Sequence, residues 1–134
     1  MTEPGVELAT RFYRSFRAHD WPETRACFAE DVELGFAGRG PLAGDHRGAE
    51  AALAVLRDLV DRSGGTFRPV LDDGWDVCVS AHHVVVFDWF RAEVGDQQLR
   101  AYLYFVMAIE GDRIVRMFVH SSEQYEFDGF FAGG

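Results

Sequence analysis

The sequence predicts an α+β fold in which amphipathic helices cover one side of a curved antiparallel sheet, and three observations carry that expectation. The first half of the chain has helical periodicity, and the second half is made of strand-sized apolar runs. The run from Val84 to Val119 divides at Gly95-Asp96 and Gly111-Asp112 into three segments, VVVFDWFRAEV, QQLRAYLYFVMAIE and RIVRMFV. Gly and Asp supply the positive φ that two-residue hairpin loops need, so these segments read as consecutive antiparallel strands. The 134 residues suffice for one core and are too few for two, so a single domain over 1–134 is expected.

Each earlier element has its own signal. Ala9, Phe12, Tyr13 and Phe16 recur at i, i+3, i+4 and i+7, which predicts an amphipathic helix over about 6–18. Asp20 with Glu23 forms a capping-box-like start, and Pro22 suits a first turn, so a second short helix is expected to about residue 28. Val32 to Phe36 is a short strand candidate, and AGRGPLAGDHRG after it reads as a loop. Ala49, Ala52, Leu53, Leu56 and Val60 restore helical spacing through about Arg62, and Ser63-Gly64-Gly65 ends it. From Thr66 onward strands are expected, including GWDVCVS with Trp75, Val77 and Val79 on one side, and a turn at His82-His83.

Composition excludes several classes of function. A hydrophobic content of 48% with 12 Phe rules out disorder. Apolar runs are strand-sized and interrupted by charge, so no membrane span is expected. Thirteen basic against 22 acidic side chains give a net charge of -9, which repels a phosphate backbone, so no nucleic-acid partner is expected. The start MTEPGVEL lacks the pattern of a secretion signal, which makes a cytoplasmic location the expectation. Cys27 and Cys78 form no C-x-x-C and read as small, reduced, buried hydrophobes. His82-His83 lacks metal-ligand spacing, and the glycines of GFAGRGPLAG lack phosphate-loop spacing, so no metal and no cofactor are expected.

The segment HDWPETRACFAEDVELGF, then GPLAGDHRGAEAAL, then EGDRIVRMFVHSSEQ, resembles the nuclear transport factor 2-like superfamily, and within it the SnoaL-like polyketide cyclases, ketosteroid isomerases and limonene epoxide hydrolases. The resemblance implies a cone-shaped sheet with three helices, a mouth that admits an apolar small molecule, and dimers through the outer sheet face. Matched position by position, the ketosteroid isomerase base falls on Phe36, its helix tyrosine on Phe12 and its protonated acid on Tyr104. The Trp-Asp of SnoaL-like cyclases falls on Phe118 and Val119. The limonene epoxide hydrolase set falls on Arg91, Trp89, Val119, Leu34 and Phe36. None of these matched positions holds a carboxylate.

A hairpin closed at Gly95-Asp96 sets Trp89 opposite Tyr102 and Phe87 opposite Tyr104, on one shared face. That face is expected to join Phe12, Phe16, Leu34, Phe36, Met117 and Val119 around an apolar, ring-binding cavity. Arg91, Tyr102 and Tyr104 are its polar groups, with Tyr104 and Arg91 as candidates for stabilising negative charge on a ligand. The same residue types equally suit plain core packing. Asp88, within VVVFDWF, is the competing acid/base candidate, because a carboxylate on an apolar strand has a raised pKa. Strand parity sets it on the opposite face, with Val86, Phe90, Leu103, Phe105, Phe118 and His120, where a homodimer contact is expected. A slip of one residue would turn it inward. Two functions follow: a cofactor-independent isomerase, cyclase or dehydratase working by proton transfer, or a non-catalytic small-molecule binding or chaperoning module.

Overall fold

The computed structural model describes residues 4–64, 67–70, 75–80 and 83–132. Among them the elements run α1 (Pro4–Arg17), α2 (Trp21–Ala26), β1 (Phe28–Phe36), β2 (Gly44–Arg47), α3 (Ala49–Asp61), β3 (Arg68–Pro69), β4 (Asp76–Val79), β5 (Val84–Val94), β6 (Gln97–Glu110), β7 (Arg113–Ser121) and α4 (Gln124–Ala132). The expected helix stop at Gly65, the strand start at Thr66, Gly74 and the turn residue His82 lie outside the described residues.

The three N-terminal-half helices form where the periodicity set them. Leu8, Ala9, Phe12, Tyr13 and Phe16 make one buried stripe along α1. The Asp20 side chain caps α2 by accepting from the Glu23 backbone N–H at 3.3 Å, with Pro22 in the first turn. Ser15 and Thr24 hydroxyls meet at 2.9 Å and tie the two helices together below the surface. Seven buried apolar residues of α3, Ala49 to Val60, face the sheet.

Seven strands form one curved, open sheet in the order β2-β1-β7-β6-β5-β3, with β4 also paired to β5. Every pair is antiparallel except β1 with β7, which run parallel. The two hairpins turn at Gly95 and Gly111, whose φ values of 58° and 60° are left-handed. Trp89 pairs with Tyr102 and Phe87 with Tyr104, as the turn position dictates.

Two elements were absent from the sequence expectation. The segment 44–47, read there as loop, is the edge strand β2, with His46 opposite Leu34. Its side chains are polar and mostly exposed, so backbone pairing alone makes it a strand and no hydrophobic alternation announces it. The helix α4 is held by a capping box: Ser121 Oγ accepts from Glu123 N, and Gln124 Oε1 accepts from Ser121 N at 2.9 Å. Asp128 on α4 then accepts from the Arg39 backbone N–H at 2.9 Å, fastening the helix to the end of β1.

Pairing was read correctly along β5 and β6, but the faces are reversed. Val84, Val86, Asp88, Phe90 and Ala92 point toward the helices, as do Leu99, Ala101, Leu103, Phe105 and Met107. Phe87, Trp89, Arg91, Tyr102 and Tyr104 occupy the outer face. Both rows are rich in apolar side chains, so alternation alone does not say which row is covered. The covered row is the one against which Phe12, Tyr13 and Phe16 pack, with Phe105 at centroid distances of 5.7, 5.8 and 5.5 Å.

Candidate functional site

The reversal brings a carboxyl group into the core. Asp88 is 0% exposed, and its row neighbours Val86 and Phe90 are buried with it. Tyr13, from α1, donates its hydroxyl to Asp88 Oδ2. Asp88 Oδ1 accepts from the Trp89 backbone N–H at 2.8 Å. Aromatic rings complete the surroundings: Tyr13 lies 5.1 Å from Trp75, 6.4 Å from Phe90 and 5.8 Å from Phe105 between ring centroids. Phe12, Phe16, Leu34, Phe36, Met117 and Val119 are buried in the core on the helix-covered side of the sheet, away from Phe87, Trp89 and Tyr104.

Burial dominates the electrostatics of this pair. Loss of water pushes the Asp88 carboxyl above the usual aspartate range, partly offset by the hydrogen bonds from Tyr13 and Trp89 and by the charge of Arg17. Burial, together with the bond to Asp88, pushes the Tyr13 phenol well above the ordinary tyrosine value, so it stays a donor. The Arg17 guanidinium carbon stands 5.9 Å from the Tyr13 ring centre, over the ring and outside ion-pair distance of Asp88. A buried carboxyl without a paired cation is costly when ionised, and the donors Tyr13 and Trp89 N–H offset part of that cost. An acid that can hold or release a proton, next to a permanent phenol donor, can move a proton and stabilise a developing oxyanion.

Other predicted site residues stand elsewhere. Arg91 is exposed and pairs in register with Arg100, and Tyr104 stacks on His120 at 4.9 Å on the outer face. Trp89 and Tyr102 stack there at 6.2 Å, and Phe87 packs on Tyr104 at 6.0 Å. A pocket lining built from Phe87, Trp89, Arg91, Tyr102 and Tyr104 is therefore corrected: the helices cover the opposite face. His120 does lie on the outer face, and its half-burial lowers its pKa by desolvation. Cys27 is buried, whereas Cys78 is exposed, contrary to expectation, and both are free thiols. Among the described residues no three His, Cys, Asp or Glu side chains are grouped to hold a metal.

Sequence reasoning missed Tyr13 as a site residue, although it read Tyr13 as part of the buried α1 stripe. The signal was available further along the hairpin. Arg91, Glu93, Gln98 and Arg100 share the row of Trp89 and Tyr102, and such a polar row belongs outside. That assignment turns Asp88 inward, toward the only hydroxyl-bearing ring of α1.

An opening of about 280 Å³ lies beside the pair, at the C-terminal end of α1. Phe16, Phe67 and Phe90 form its apolar walls, and Arg17, His19 and Arg68 also line it. Phe16 and Phe90 both pack on Tyr13, the hydrogen-bond partner of Asp88. A smaller void shares the opening's Phe67 and Phe90 walls and is bounded also by Leu103 and by Phe127 of α4. A second opening, of about 340 Å³, lies on the outer face and includes Arg116 and Phe118.

Comparison with known proteins supports the fold. A SnoaL-like domain family model matches residues 9–117. Uncharacterized proteins of Mycobacterium tuberculosis are 27% identical over 127 residues, 95% of this chain and of theirs. The structure of Bal32a, from a soil-derived mobile gene cassette, superposes with a TM-score of 0.85 at 28% identity, covering 96% of each chain. That of TerC, co-crystallised with polyporic acid, gives a TM-score of 0.78 at 17% identity over 96% of this chain and 98% of TerC, a likeness of fold.

Asp88 carries a pH signature. With its folded-state pKa raised above the unfolded value of about 3.9, its proton binding stabilises the fold fully below that value, and this contribution is lost as pH rises through the folded pKa. Asp88→Asn keeps the shape and abolishes the ionisation. Thermal melts are expected to show the variant more stable than the parent at pH 8, by roughly 3–5 °C, with the gap closing toward pH 4. A gap independent of pH would mean that Asp88 is not the titrating group.

Proposed function

Since the chain belongs to the SnoaL-like family of the nuclear transport factor 2-like superfamily, we propose that it binds an apolar, ring-bearing small molecule beneath α1. There it moves a proton with Asp88, in an isomerisation, cyclisation or dehydration that needs no cofactor. The observation that carries this reading is a fully buried carboxyl whose side-chain partner is a phenol and not a cation. Such a group costs stability where a leucine would add it, and perturbed acids of this kind concentrate at functional sites. Asp88 acts as the acid/base, Tyr13 turns its single O–H from Asp88 to the ligand oxygen on which charge develops, and Phe16 and Phe90 stack on the ring. Ligand entry requires those two rings to part, because both line the opening and pack on Tyr13.

A second reading, a binder or chaperone without chemistry, is favoured by one feature: the Tyr13–Asp88 pair is fully enclosed. Two probes separate the readings. Polyporic acid, present in the TerC crystals, reports binding through the fluorescence of Trp75, which packs on Tyr13. Exchange of the α-protons of 2-tetralone in heavy water, followed by NMR, reports proton abstraction. The enzyme reading expects the protein to accelerate exchange and Asp88→Asn to lose roughly 100-fold or more of that acceleration, with probe binding retained. Binding without acceleration would establish the binder, and absence of both would overturn the site.

The protein is also proposed to form a homodimer, through a face different from the one the sequence suggested. Val86, Phe90, Leu103 and Phe105 are buried under the helices, so they cannot meet a partner. The outer face instead offers Tyr102 and Phe118, 41% and 48% exposed, beside Phe87, Trp89, Tyr104 and His120. A two-fold axis would lay this aromatic row against its own copy and cover it. Light scattering at micromolar concentration is expected to give a dimer, and Phe118→Lys a folded monomer. A monomeric parent protein would refute the proposal.

A further inference from the structure

The opening beside Tyr13 has a charge opposite to that of the molecule. The chain carries -9 overall, yet the three ionisable side chains that line this opening among the described residues, Arg17, His19 and Arg68, are all basic types. Among the described residues no carboxylate lines it. Asp20, next in sequence to His19, is turned to the α2 cap, where it accepts from Glu23 N. Arg68 moreover stands in register with Arg91 across the β3–β5 pair, and like charges directly opposite each other destabilise a sheet. Among the described residues, neither Arg17, Arg68 nor Arg91 makes an ion pair with a carboxylate. The guanidiniums of Arg17 and Arg68 are therefore left to solvent or to a ligand, at an opening whose walls include Phe16, Phe67 and Phe90.

We propose that the ligand class of this site is an aromatic anion, a ring bearing a carboxylate, enolate or acidic phenolate. Its charged group would rest on Arg17 and Arg68 while its ring lies against Phe16 and Phe90. The proposal rests on the reading of the opening as the route to Asp88, and it adds which end of the ligand faces outward. The geometry assigns the two ends different work. The guanidiniums hold the anionic group at the rim by charge-assisted hydrogen bonds, which are stronger than neutral ones. The ring is directed inward, toward Tyr13, because the Phe16 and Phe90 walls both pack on it. Arg17 is the shared element, since it lines the opening and also lies over the Tyr13 ring. On an acidic protein, such a basic mouth also focuses anions that the rest of the surface repels.

The test compares 2-naphthoate with its neutral near-isostere 2-naphthamide, titrated to millimolar concentration. Binding is read by the fluorescence of Trp21, which packs on Phe16 at 6.2 Å, and by amide NMR shifts of residues 16–19 and 67–69. Naphthoate is expected to bind about tenfold tighter than naphthamide at low salt, the worth of one charge-assisted contact. That preference is expected to shrink in high salt and to vanish in Arg17→Gln/Arg68→Gln, whose unchanged melting temperature establishes that it is folded. Equal affinities, or a preference that survives the double substitution, would overturn the anion assignment while leaving the opening as a ring-binding site. Failure of both compounds to shift those resonances would overturn the opening as a ligand site altogether.

Discussion

The bond between the Tyr13 hydroxyl and the Asp88 carboxyl joins the first helix to the middle of the longest hairpin, and the interior is arranged around it. Three α1 rings, Phe12, Tyr13 and Phe16, pack on Phe105, and this contact decides which face of β5 and β6 is dry. Once that face is fixed, period-2 alternation carries Asp88 inward between Val86 and Phe90. A carboxyl in such a place must find hydrogen bonds, and it finds them from one phenol and one backbone amide. The fold thus tolerates a polar group at its centre because two different elements satisfy it.

Tolerance is not stabilisation. Replacing a buried polar pair by well-packed apolar side chains is often neutral or favourable, so the pair is weak evidence for a structural role. In the proposed function it supplies a carboxyl whose ionisation is discouraged by burial and a donor that burial keeps protonated. Under the same proposal, the apolar walls and the basic side chains Arg17 and Arg68 would orient a ligand with its ring inward and its charge outward. SnoaL-like membership is consistent with a small molecule in this space, but the fold hosts unrelated functions, so the residues and not the fold carry the proposal.

Much of the architecture was legible in the sequence. The α1 stripe, the Asp20 cap and the two Gly-Asp turns each carry a local signal, and with the turns placed, the pairing of Trp89 with Tyr102 follows by counting. The family resemblance likewise placed the helices and sheet. Facing was harder to read, because β5 and β6 are apolar on both sides and the deciding contact lies some 75 residues away in sequence, at Tyr13. β2 left no trace because an edge strand of Gly, Asp, His and Arg pairs through backbone alone. α4 did leave one, the S-x-x-Q from Ser121 to Gln124, which is a capping box.

The central claim is that Asp88 is a buried acid held by Tyr13, and the most direct measurement is the titration of its side-chain carboxyl carbon by NMR, in the parent protein and in Tyr13→Phe. The account predicts that one aspartate resonance, assigned to Asp88 by its absence from Asp88→Asn, titrates above the range of the surface aspartates. It also predicts that Tyr13→Phe moves that midpoint further up, because the phenol donates to the ionised form. An Asp88 that titrates with the surface aspartates, unaffected by loss of the Tyr13 hydroxyl, would contradict the account.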